Sequence, residues 1–334
     1  MLKKLSNWFW ILILQFILWL LIQKSHFFCE LFYQHFTLKY NSIIGSITTK
    51  FLFPIGELFY IIFITGLIFL LINLIKLKSL HSKFKLLFIT LNSILFVYQM
   101  CWGIVYYVNK FEIDSAELKV EVSELKDLYC NYLNDAEKER NKLKSKYDET
   151  LILNISEDQI VKEFEKNETL LSSLPWIKNY QFIQKPIIKY SNISHVMNLS
   201  GILGYYNPFT IYHELSHQMG FASENEANFV AFLIGYNSSN PEIRYSTLYK
   251  TSFSILANIA KSDPLFVKIQ LDNLPKSIQL DYEKEKKYYK KYDGKMNDIF
   301  SEMNNQFLKA NNQEGSISYS KYILLVNYYH KKKS

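Results

Sequence analysis

Two histidines and a glutamate stand at a spacing that can hold a metal ion and activate water. The run TIYHELSHQMGFASENEANFVAFLIGY, residues 210–236, contains His213, Glu214 and His217 in the order HExxH. On a helix, positions i and i+4 share one face, so the two imidazoles can grip a single ion. Glu214 follows the first histidine directly and projects beside that ion, where a carboxylate can take a proton from a bound water. The chemistry this predicts is metal-assisted hydrolysis, with Glu214 as general base on a zinc-bound water.

Such a site depends on the helices that carry it. Thr210 to Met219 suits a helix of about three turns, and Gly220 is placed to end it with a left-handed residue. The next helix is expected to open at Ser223. A zinc hydrolase with two histidine ligands needs a further donor, and a water keeps the fourth position. Glu224 and Glu226 are the available carboxylates. Ser223 and Glu226 fit S-x-x-E, a capping box that would occupy Glu226 locally. Glu224 lies four residues before Asn228, on the same face, where Asn228 could hydrogen-bond a ligand imidazole and fix its tautomer. Glu224 is therefore favoured as third ligand, with Glu226 as the alternative.

Elsewhere after residue 109 the patterns are mostly helical. Leu118, Val122, Leu125, Tyr129, Tyr132 and Ala136 form one apolar stripe at steps of three and four. Ser156 and Gln159 fit a second capping box. Residues 176–210 read as irregular, with a short strand at PIIKYS, and helices resume after Pro241. Asp263-Pro264, Leu274-Pro275 and Asp293-Gly294 punctuate them. The three cysteines exclude a disulfide scaffold or a multi-cysteine metal site. Cys29 and Cys101 fall in or beside apolar segments as small fillers, and Cys130 on the stripe is expected to be buried.

The formal charge of +7 excludes a nucleic-acid face once it is located. Residues 1–108 hold nine lysines and only Glu30 and Glu57, so they carry the whole excess and the remainder is neutral. Positive charge among the most apolar segments marks a membrane domain instead. Three spans are predicted, at 8–22, 54–75 and 86–108, with 23–53 as a connecting loop. The lysine-rich KLKSLHSKFK and the N-terminal Lys3 and Lys4 should stay cytoplasmic, placing residues 109–334 outside the cytoplasm. The bilayer is thus the expected partner, with no nucleic acid.

Two resemblances extend this reading. HELSH followed by ENEANFVAFL resembles the gluzincin pattern HExxH…ExxA(N/D)xxA, onto which His213, Glu214, His217, Glu224, Ala227 and Asn228 map. WGIVYY, GYYNPFT, HELSHQMGFASENEANFVAFL, IRYS and FLKANNQEGSISYS together resemble an uncharacterised bacterial family of multi-pass membrane proteins, a domain of unknown function. The resemblance implies a zincin-like peptidase domain in a bacterial cell membrane. It also singles out Tyr245 and Arg244, in IRYS, and Tyr319, in SISYS, as donors to a developing oxyanion, Tyr245 foremost, with His195 as a looser candidate. In the family pattern the approach to HExxH is longer and more acidic; here Pro208-Phe209-Thr210 leads straight into the helix, which implies altered specificity or activity.

The expected protein is mainly α. Residues 1–108 form its transmembrane helices, and residues 109–334 form a mostly helical, zincin-like domain. Its expected function is zinc-dependent hydrolysis of peptide bonds in a protein or peptide substrate. A non-catalytic, metal-binding membrane or envelope interaction protein is the alternative, against which the retained Glu214 counts, because a structural metal has no use for a general base.

Overall fold

The structure is a computed structural model that describes residues 7–48, 55–108, 110–114, 116–143, 155–167, 169–178, 208–290 and 293–333. The strand expected at PIIKYS and the candidate His195 lie outside the described residues. Among the described residues the regular structure is all helical, apart from one isolated antiparallel bridge, Phe111 to Ile177. Two compact units divide between Asn109 and Lys110.

The first unit contains α1 (Asn7–Lys24), α2 (His26–Phe32), α3 (Leu38–Thr48), α4 (Ile55–Lys76) and α5 (Leu80–Cys101). Its surfaces expose many Leu, Ile and Phe side chains, which lipid solvates and water does not. Leu80–Met100 is long and apolar enough to cross a membrane. It begins six residues earlier than the expected third span, because Ser79 caps it by accepting the Ser82 N–H. It also stops earlier: Trp102 leaves the helical conformation, and Gly103–Tyr107 form a buried 3-10 turn. The expected loop at 23–53 is largely helical instead. Ser25 accepts the Phe28 N–H and starts a new helix, so that Phe9–Lys24 and His26–Ile44 form a pair bent by 111° that passes as one broken span. Helix α4 coincides with the expected second span at 54–75, and its Ile61–Lys76 portion is apolar. The described helices thus provide one or two crossings by length and composition, where three separate spans were expected.

The second unit contains α6 (Val122–Lys142), α7 (Glu157–Asn167), α8 (Thr169–Ser172), α9 (Pro208–Gln218), α10 (Glu224–Tyr236), α11 (Pro241–Ile259), α12 (Pro264–Asp272), α13 (Lys276–Lys290), α14 (Lys295–Ala310) and α15 (Ser318–Lys333). The stripe on α6 is buried at Leu125, Tyr129, Tyr132 and Ala136, as its spacing predicts. Ser156 and Gln159 make both bonds of their capping box. Cys130 is exposed, contrary to expectation, because it lies beside the buried face of α6 and not on it.

Helix α10 is polar in its first turn, is buried from Ala227 to Gly235 and forms the centre, packed by α9, α11 and α15. Gly235 permits the closest approach: a Cβ there would lie 2.0 Å from Thr247 Oγ1 of α11. A buried polar network ties α6, α11 and α13. Arg140 Nε donates to Asp281 Oδ2 at 2.7 Å, and the Tyr245 hydroxyl donates to the same oxygen at 2.6 Å. Removing one member leaves the other charge desolvated and alone, at a cost of about 3–5 kcal/mol. Asp281→Ala should therefore lower the melting temperature of the full chain markedly, and an unchanged melt would show that Arg140 finds another partner.

Candidate metal centre

Helix α9 carries HExxH and ends as its residues require. Gly220 adopts φ +86°, its N–H bonds to the His217 carbonyl at 2.9 Å, and the chain turns toward Ser223, the first residue before α10. His213 and His217 lie one turn apart on one face, with ring centroids 4.6 Å apart and planes at 83°. The start of α10 brings Glu224 across the turn. His213 Nε2 is 3.1 Å from Glu224 Oε2, His217 Nε2 is 3.6 Å from the same oxygen, and the two Nε2 atoms are 3.1 Å apart.

Those separations test whether the residues fit a metal ion. Zinc bonds of about 2.0–2.1 Å at tetrahedral angles set donor atoms about 3.3–3.4 Å apart. The triangle of 3.1, 3.1 and 3.6 Å matches three edges of that tetrahedron. Two imidazoles and a carboxylate also form the donor set that zinc favours. These three donors fit the ion and leave its fourth corner without a protein ligand among them.

The surroundings orient the candidate ligands. His217 Nδ1 lies 2.6 Å from the Phe221 carbonyl oxygen, which only accepts, so Nδ1 carries a proton and Nε2 faces the other donors. Phe221 is itself gripped by aromatic packing: its ring lies 5.8 Å from Phe111, which also packs on Trp176 and Phe229. Phe111 is placed by the bridge to Ile177, where Glu112 N–H donates to Trp176 O and Lys178 N–H to Lys110 O, both at 2.8 Å. A short extended pairing far from HExxH in sequence thus supports the Phe221 carbonyl that fixes the His217 tautomer.

The two carboxylates differ as expected, for a partly different reason. Glu224 joins the histidines, and although burial opposes its charge, hydrogen bonds from His213 and His217 hold it well below the usual carboxylate range. Glu226 stays outside the cluster and is pushed up to about 8, because burial outweighs the Lys110 charge and a hydrogen bond with Ser223. A carboxyl that keeps its proton at neutral pH is a poor metal ligand. The expected cap from the Ser223 side chain is absent: Gln313, from the turn before α15, accepts the Glu224 N–H at 3.0 Å instead. Gln313 was not anticipated; 89 positions separate it from Glu224. Asn228 is buried one turn after Glu224, and Glu214 is half-buried, close enough for its charge to act on His217.

The oxyanion candidates fare differently. Tyr245 is only 2% exposed, and its hydroxyl proton is committed to Asp281, so the structure does not bring it to the cluster. Arg244 is engaged with Glu139 at 3.2 Å and with the Tyr236 carbonyl at 3.0 Å. Tyr319 lies in the first turn of α15, and its side chain is outside the described set.

Burial would lower the His217 pKa, but the hydrogen bond and charge of Glu224, with the charge of Glu214, raise it to about 9. In the metal-free chain the ion pair with Glu224 therefore stabilises the fold below about pH 6.5, and that contribution is lost as pH rises through about 9. A metal must displace this proton. Zinc affinity should fall about tenfold per pH unit below about pH 9, with about one proton released per ion at pH 7. Calorimetry in buffers of different ionisation enthalpy measures that proton, and zero release would mean that His217 is neutral beforehand.

Residues 28–211 and 207–327 match the family described as Protein of unknown function (DUF3810); the two stretches meet at the first turn of α9. No curated protein and no solved structure matches the chain.

Proposed function

The chain belongs to the DUF3810 family, and we propose that this member is a membrane-anchored, zinc-dependent peptidase of gluzincin type. The observation that carries the proposal is the His213–His217–Glu224 triangle with tetrahedral edge lengths and Glu214 beside it. A bound zinc ion supplies Lewis acidity toward the scissile carbonyl and the attacking water. Glu214 takes the water's proton and passes it to the leaving amine. Phe221 holds His217 in the tautomer that presents Nε2, and Gln313 fixes the backbone of Glu224. Asn228 would steady a ligand ring from the next turn of α10.

The first unit anchors the enzyme. The lysine-rich segment Lys76–Lys85 leads into and includes the first turn and a half of the Leu80–Met100 helix and carries four lysines and no acid, so this end stays cytoplasmic. The chain after that crossing then emerges on the opposite side of a bacterial cell membrane, whatever the number of earlier crossings.

The test is hydrolysis of a mixed peptide library by the full chain in detergent, read by mass spectrometry. Zinc-loaded protein should cleave, 1,10-phenanthroline should stop it, and added zinc should restore it. Zinc-loaded, folded protein that leaves every peptide intact contradicts the peptidase reading.

A further inference from the structure

Helix α14 is built the wrong way round for a protein in water. Met296, Ile299, Phe300, Met303 and Phe307 recur at steps of three and four and share a stripe about 100° wide at 100° per residue. All five are exposed, Met296 by 63%, Phe300 by 60% and Met303 by 62%. The side that meets the rest of the unit is another one. Leu308 is buried, and Asn305 Oδ1 accepts the Ser316 N–H at 3.0 Å, both about 100° or more from the centre of the apolar stripe. The helix thus rests on its own protein by Asn305 and Leu308 and turns its apolar face outward. An isolated helix of this length is marginal in water, so that face needs a partner.

The neighbouring residues indicate which partner. Among the described residues after Lys110, every large exposed apolar side chain falls between Leu265 and Ile317. The connection into α14 is basic: residues 276–295 carry seven lysines and four acids. Two of those acids are neutralised internally, Asp281 by Arg140 and Glu285 by Lys250. Lys276, Lys286, Lys287, Lys290 and Lys295 remain exposed. An outward apolar stripe preceded by an exposed lysine row is the pattern of a helix that lies in a membrane interface and reads anionic headgroups. The same chain carries a helix long and apolar enough to cross a membrane, and such an anchor keeps a bilayer within reach without a second binding event.

We propose that α14, with the lysine row of α13, is an in-plane lipid-binding helix for an anionic membrane surface. The peptidase reading is not required for it.

The test is amide hydrogen exchange of residues 295–310 in the full chain, one copy per nanodisc. Discs of phosphatidylcholine alone are compared with discs in which about a third of the lipid is phosphatidylglycerol. Exchange should be about tenfold slower in the anionic discs, and Phe300→Asp with Met303→Asp should abolish that protection. Lys286→Gln, Lys287→Gln and Lys290→Gln together should remove the difference between the two lipids, leaving the exchange of α10 as a folding control. Equal exchange in both lipids overturns the proposal. So does protection that arises only with two copies per disc, which would assign the face to a second copy of the chain.

Discussion

Glu214→Gln is expected to bind zinc as the native chain does and to hydrolyse peptides about 10²–10⁴-fold more slowly. The glutamine keeps the volume and polarity of a half-buried side chain and loses only the ability to take a proton. Because Glu214 is not among the three converging donors, the metal should remain. The measurement is kcat on any peptide cleaved by native protein, with metal content determined on the same sample. Undiminished kcat would remove Glu214 as the base. Loss of zinc together with activity would instead show that Glu214 supports the ligands through its charge on His217.

The second large effect separates the carboxylates. His213→Ala, His217→Ala and Glu224→Ala should each reduce bound zinc from about one ion per chain to a small fraction, because each removes one of the three protein donors that such a site uses. Glu226→Gln should leave zinc content unchanged. Glu226 is held protonated near neutral pH, so an amide is close to the group already present. Zinc retained in Glu224→Ala and lost in Glu226→Gln would reverse the assignment. Circular dichroism of each variant separates loss of metal from loss of fold.

The convergence of His213, His217 and Glu224 was legible because its determinants are local. HExxH on one helix, Gly220 at its end and an acid in the first turn of the next helix span only residues 213–224. The choice of Glu224 over Glu226 was also available, although the argument from a Ser223 cap was not the operative one: Gln313 takes the Glu224 amide, and burial neutralises Glu226. No periodicity links Gln313 or Phe111 to the site, since a turn before α15 and a two-residue bridge bring them there. Tyr245 misled for the same reason. Its place beside Arg140 and Asp281 depends on the packing of three helices that are distant in sequence.

The fold shows the same division. The stripe on α6 and the capping signal at Ser156 predicted helices where they occur, and Asp263-Pro264, read as punctuation, separates α11 from α12. Apolar length found the helices at 8–22 and 54–75 and missed helix starts in stretches read as loop, where Ser25 and Ser79 accept the capping N–H groups. Periodicity in α14 identifies an amphipathic helix and cannot tell which face meets the protein; Asn305 and Leu308 decide that.

Zinc K-edge X-ray absorption on the purified full chain tests the central claim most directly. The expected result is about one zinc per chain in a four-coordinate shell of nitrogen and oxygen at about 2.0–2.1 Å, with scattering from two imidazoles. Folded protein that binds no zinc at stoichiometric concentration, or a shell with fewer than two imidazoles, would contradict it.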